Sequence, residues 1–178
     1  KQLTYAVLIG ATIMLSAFTI KNNSIWKITD DYSVKAKTNK FDAIFKGLIA
    51  EIDFDESNLA TSKITASIDA SSINTGNGMR NKHAKQGLEA DKYSTIKFES
   101  VTIQKKDNGF EAIGKLTIKD VTKEIKLPFT FTRNANNGVF NGKFSVVPAD
   151  YNVKKTGTPD LFEIELNIPV TKWTGNQL

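Results

Sequence analysis

The sequence predicts an all-β fold, an eight-stranded antiparallel β-barrel with a loop and a short helix covering one end. Three observations predict it. From Ile25 onward, apolar and polar residues alternate with period two in segment after segment, the pattern of strands that bury one face. Asn-Gly turn chemistry separates two pairs of these segments, so sequential neighbours pair antiparallel. The stretch from Asn74 to Tyr93 breaks the alternation, and its composition tolerates a helix.

The elements follow in order. After a first strand around Trp26, Leu48, Ala50, Ile52 and Phe54 alternate with Ile49, Glu51, Asp53 and Asp55. Ile64, Ala66, Ile68 and Ala70 then alternate with Lys63, Thr65, Ser67 and Asp69. Ile96 and Phe98 lead out of phase into Val101 and Ile103, which predicts a bulge near Glu99-Ser100. Phe110 to Ile118, Ile125 to Phe131, Val139 to Val147 and Ile164 to Val170 complete the series. Asp107-Asn108-Gly109 and Asn136-Asn137-Gly138 read as hairpin turns because such residues tolerate positive φ, and Lys119-Asp120 is a weaker turn. A second irregular loop spans Pro148 to Asp160. A sheet with one apolar face buries it by folding into two layers or by closing, and closure also removes the edges.

The 178 residues suit one domain, and a 40% hydrophobic content with 11 Phe supplies ample core. Residues 1–24 read as a signal peptide or N-terminal anchor ahead of a domain over 25–178. Lys1, the 16 apolar-rich residues from Tyr5 to Ile20, and then Lys21-Asn22-Asn23-Ser24 follow the charged, apolar, polar order of export signals. Cleavage candidates lie after Ala17 or near Ser24. The expected location is therefore periplasmic or secreted, in a bacterium. With no cysteine, stability must come from core and sheet, without disulfides or thiolate chemistry. Removing Lys1 and Lys21 lowers the net charge from +5 to +3, with lysines scattered among acids, which disfavours nucleic acid as a partner.

Few residues invite catalysis. Glu51, Asp53 and Asp55 share a face that alternation assigns to solvent, and they lack the glycine and distal Glu of a calcium loop. His83 is the only histidine, so no multi-histidine metal site exists, and no nucleophile elbow is present. Gly76-Asn77-Gly78 lacks the following Lys-Ser/Thr of a phosphate loop, although its amides, with Arg80 nearby, suit an anionic head group. The expectation is a binding protein, with no catalytic residue, no metal and no cofactor beyond a bound lipid or quinone. The apolar stripe of Ile64, Ile68, Phe98, Phe110, Leu116, Phe129, Phe131, Phe144 and Leu166 is the candidate ligand lining. Alternation is the same for a filled barrel and a hollow one, so a packed interaction barrel stays open beside a carrier.

Several stretches in this order resemble the YceI-like family of exported polyisoprenoid-binding proteins with a lipocalin-like fold. They are Trp26-Lys27-Ile28, Phe45-Lys46-Gly47, Ile52-Asp53-Phe54-Asp55, Ile68 to Asn77 with Arg80 and His83, and Lys92-Tyr93. Ile96 to Ser100, Gly114 to Ile118 and Val121-Thr122-Lys123 before Leu127-Pro128 continue the likeness to about Lys172. The resemblance implies a long isoprenoid-type ligand, a polyprenol, polyprenyl phosphate or quinone, along the barrel axis. Asn77, Arg80 and His83 are the head-group candidates. Peripheral membrane contact and a homodimer stay open as partner readings. The chain departs from the family at Tyr32, where a His is usual, at Gly87-Leu88-Glu89-Ala90, and at Val146-Val147-Pro148. These differences fall near the barrel ends and in the cover, where they bear on the head group rather than the fold.

Overall fold

The computed structural model describes residues 25–173; the expected export segment, residues 1–24, lies outside the described residues. The strands are β1 (Ile25–Ile28), β2 (Ser33–Lys37), β3 (Asp42–Phe45), β4 (Ile49–Asp53), β5 (Lys63–Asp69), β6 (Thr95–Lys106), β7 (Gly109–Ile118), β8 (Val121–Asn134), β9 (Asn137–Val146) and β10 (Phe162–Lys172). Helix α1 (Gly78–Leu88) lies between β5 and β6.

All pairings are antiparallel, and β1-β4-β5-β6-β7-β8-β9-β10 closes into the predicted eight-stranded barrel when β10 returns to β1. The other two strands extend this ring: β2 runs along β10 beyond β1, and β3 pairs with β2. Where the β1–β4 and β2–β3 pairings part, the Tyr32 hydroxyl accepts a hydrogen bond from the Leu48 N–H at 3.0 Å. That gives the departure at Tyr32 a structural role, since a side chain satisfies a backbone donor that no strand reaches.

The predicted phase change on β6 is a bulge between Ser100 and Thr102. Val101, the extra residue, is 65% exposed, and alternation resumes inward at buried Ile103. Ser100 points inward and its hydroxyl accepts from the Ile64 N–H at 2.8 Å, which repairs the ladder beside the bulge.

One turn differs from expectation. Asn134 pairs with Asn137, so the β8–β9 turn is Ala135-Asn136, with Ala135 at φ 52°, rather than Asn136-Asn137-Gly138. Gly138 serves packing instead: a Cβ there would lie 2.5 Å from Phe131 Cε2, so the ring lies over bare backbone. Gly114 does the same for Phe98, whose Cζ would be 2.7 Å from an added Cβ. Both glycines trade strand propensity for ring contact.

The connections sort the two barrel ends. The short β6–β7 and β8–β9 turns lie at one end, where β1 begins and β10 finishes, and the segments carrying α1 and Pro148–Tyr151 lie at the other. The first end is plugged by rings. Phe54, 1% exposed, sits 5.0 to 5.6 Å, centroid to centroid, from Phe110, Phe129, Phe131 and Phe140, in edge-on contacts. Trp26 stands edge-on to Phe131 at 5.0 Å, and its indole N–H donates to the Phe54 carbonyl at 3.0 Å. Such ring pairs add about 0.5–1.5 kcal/mol each beyond the area they bury.

Phe54→Ala removes the ring that Phe110, Phe129, Phe131 and Phe140 all touch. The expected loss in urea unfolding is about 3–5 kcal/mol, because the barrel wall prevents the cavity from collapsing.

Candidate functional site

Above the plug, inward positions shrink. Ala50, Ala66 and Gly142 face the axis where bulky residues would fill it, and a cavity of about 560 Å³ opens there. Ile64, Ile96, Leu127, Phe144, Ile164 and Leu166 line it and stay half-buried although they face inward. An inward apolar side chain that keeps accessible surface is the mark of a hollow interior, since a packed core leaves none.

Of the residues expected to line a ligand space, Ile64, Ile68, Phe98, Leu116, Phe129, Phe144 and Leu166 line this cavity. Phe110 and Phe131 do not. Both face inward, but at the level of the plug, where Phe110 stacks on Phe129 at 5.4 Å and Phe131 lies 4.4 Å from Phe140. Alternation fixes which face a residue takes but not its height along the axis.

Helix α1 covers the mouth. Its cavity side carries Met79, Arg80, His83, Ala84, Gly87 and Leu88, spaced as one helical face. The loop from Lys155 to Pro159 lines the rim beside the C-terminal half of α1, where the Lys155 ammonium donates to the Gln86 side-chain oxygen. Sequence reasoning marked the irregular loop over Pro148 to Asp160 without giving it a place in the site, and it missed Phe41, because neither carries a periodic pattern. Phe41 sits beneath the Arg80 guanidinium, 4.5 Å from its ring centre, and stands edge-on to Phe162.

The three head-group candidates all reach the cavity, with different freedom. Asn77 is the N-cap of α1, and its side-chain oxygen accepts from the Arg80 N–H at 3.0 Å. Its amide nitrogen is the part left for a ligand. Arg80 is half-buried and held by the Phe41 ring, and His83 is exposed.

The cover is pinned at both ends. Ahead of α1, Ile44 and Asn74 exchange backbone hydrogen bonds, and the Asn81 side chain accepts from Thr75. The Ser72 hydroxyl accepts from the Lys46 N–H at 2.8 Å. Asp69 accepts from the Ser71 hydroxyl and N–H, which hold its carboxyl below the usual carboxylate range. That contribution is present above the unfolded pKa of about 3.9 and is lost as pH falls through the lower folded value.

Behind α1, the Lys119 ammonium pairs with Glu89 and donates to the Asn152 carbonyl at 3.1 Å. Its side chain is 8% exposed. Lys119, Glu89 and Asn152 are all left-handed, at φ 58°, 49° and 56°. One cation thus joins the end of α1, the β7–β8 turn and the end of the Pro148–Tyr151 helical turn.

The earlier candidates for acid chemistry lie apart from this site. Glu51 is exposed on the outer wall, and Asp55 accepts from the Ser57 N–H and hydroxyl. The cavity lining itself contains no Asp or Glu among the described residues.

With this geometry in place, the chain also matches the model of the YceI-like domain over residues 19–171. The chain belongs to the YceI-like family. A UPF0312 protein of Vibrio parahaemolyticus is 30% identical over 137 residues, 72% of each chain. In fold, this YceI-like chain is similar to BcnA of Burkholderia cenocepacia, with a TM-score of 0.75 at 23% identity over 82% of this chain and 100% of that one. It is also similar to a polyisoprenoid binding domain from Saccharophagus degradans, with a TM-score of 0.59 at 14% identity over 84% and 94% of the two chains.

Lys119→Ala removes the cation joining the three segments. Amide exchange is expected to quicken in residues 78–92 and 148–158 while the plug strands keep their protection, as hydrogen exchange read by mass spectrometry would measure.

Proposed function

We propose that this YceI-like protein binds a long, apolar, isoprenoid-type molecule in the mouth half of its barrel and carries or sequesters it outside the cytoplasm. The observation that carries the reading is the apolar cavity of about 560 Å³, stopped at one end by rings and covered at the other by α1. Its size falls within the ordinary range of small-molecule sites, and its walls supply the apolar surface that such ligands need. A polyprenol, a polyprenyl phosphate and a quinone all meet that requirement. The polyisoprenoid binding domain of similar fold from Saccharophagus degradans supports the same ligand class.

The energetics agree. Burying about ten methylene equivalents at ~0.8 kcal/mol each gives roughly 8 kcal/mol, a micromolar affinity before ordering costs. The export expected from residues 1–24 belongs to this proposal, because a chain-shaped lipid crossing an aqueous compartment needs a protein interior to shield it. The reading is one of binding rather than catalysis: His83 is the lining's one histidine, and no carboxylate stands beside it in the lining among the described residues.

Native mass spectrometry of the purified protein, followed by organic extraction, tests the proposal. A stoichiometric isoprenoid is the expected result, and a protein that is empty and refuses added geranylgeraniol would overturn it. Ala66→Phe places a ring in the hollow half. It should reduce geranylgeraniol uptake by about 10-fold or more while the melting temperature stays within a few degrees, since the ring fills space without displacing the plug.

A further inference from the structure

Two rings close the lower end of the cavity. Phe129 and Phe140 belong to the plug and also line the cavity, whereas Phe54, Phe110 and Phe131 are outside its lining. The two floor rings are 6% and 7% exposed, with their centroids 5.8 Å apart. Neither has space to sink into. Phe54 stands edge-on to both, at 5.6 and 5.3 Å, Phe110 stacks on Phe129 at 5.4 Å, and Phe131 lies 4.4 Å from Phe140. Phe54 is itself held by the hydrogen bond from the Trp26 indole to its carbonyl. A chain pushing past this floor would break several ring contacts at once, in an interior too densely packed to receive a displaced ring elsewhere.

The change from filled to hollow is abrupt. On β7 the inward residue after Phe110 is Ala112, and on β9 the inward residue after Phe140 is Gly142, and both small residues line the cavity. The space above the floor is also finite. A chain carbon takes up about as much room as a water in the liquid, ~30 Å³, so the cavity of about 560 Å³ holds roughly 20 carbons, or four isoprene units.

We propose that Phe129 and Phe140 set the length of chain this protein buries, at about four isoprene units. This rests on the chain-binding reading and names the size of ligand within it. Each unit above the floor is withdrawn from water and adds affinity, so chains shorter than the limit are rejected in favour of those that reach it. Units beyond the limit stay in water at the mouth and add nothing.

The test is competition, by native mass spectrometry on the delipidated protein, among prenols of three, four, five and six isoprene units, each kept below its aggregation limit. The step from farnesol to geranylgeraniol is expected to raise affinity about 10-fold or more, and the fifth and sixth units should each change it by less than about 2-fold. Phe140→Ala removes a ring about the size of one isoprene unit, so in that variant the fifth unit should also add about 10-fold. Phe140→Leu opens less space and keeps a larger side chain in the plug; it should give the fifth unit a smaller gain, and it carries the test if Phe140→Ala does not fold. Phe110→Leu alters a plug ring outside the lining and should leave the break after the fourth unit. In the unaltered protein, no gain from the fourth unit, or a gain that continues through the sixth, would overturn the length limit while leaving chain binding intact. A break that stays in place in the Phe140 variants, or that Phe110→Leu moves as far, would overturn the role of the floor rings. Failure of every prenol to bind would remove the chain-binding reading, and this one with it.

Discussion

The contact on which the other features depend is the seating of Phe54 among four phenylalanine rings at the closed end of the barrel. Those rings come from β7, β8 and β9, while Phe54 directly follows β4, so one side chain ties opposite walls together across the axis. The indole of Trp26 donates to the backbone carbonyl of Phe54, which fixes β1 against the same point. Closure through β1 and β10 is short, with three residue pairs, and a seam of that length needs a packed interior beside it. Because the plug concentrates packing in one half, the other half can remain hollow without loosening the barrel.

The cover obeys different physics. Helix α1 buries none of its residues fully and Met79 is 65% exposed, but Ala84 and Leu88 pack half-buried against the core and anchor one face. Polar contacts hold its two ends as well. The side ahead of α1 uses small side chains, Asp69, Ser72, Asn74 and Asn81, that hydrogen-bond nearby backbone and one another. The far side uses Lys119, a long side chain largely withdrawn from water, reaching two left-handed residues. A non-glycine residue in that conformation carries a steric cost, and three that share one cation make their local conformations depend on each other.

Much of this was legible in the sequence because period two is a strong signal. The eight barrel strands, the bulge announced by the phase change from Phe98 to Ile103, and the helical interruption all follow from residue order. The height of a residue along the barrel was not legible. Phe131 and Phe144 look alike in a strand pattern, yet one packs in the plug and the other lines the cavity, because cross-strand register decides whether a ring faces Phe54 or the space above Gly142. Gly138 misled for a related reason: glycine after Asn reads as a turn, whereas here it makes room for a ring on the neighbouring strand. The clasp at Lys119 had no sequence signature, since it joins three turns distant along the chain.

The division into plug, hollow half and cover also divides affinity from selectivity. The walls around Ala66 and Gly142 offer a ligand only apolar surface, so the free energy gained there scales with chain buried and is indifferent to the head. The plug gives the space a floor, which limits how much chain can be buried before the remainder must emerge at the rim. In the proposed function, whatever beyond length distinguishes one long lipid from another is therefore read where the polar groups are, on the cover and the loop beside it. That surface includes a helix with no fully buried residue, so in the proposed function the element that meets the head is one that local opening can displace without unfolding the barrel. On that reading recognition and entry share one short helix, and the barrel itself stays rigid.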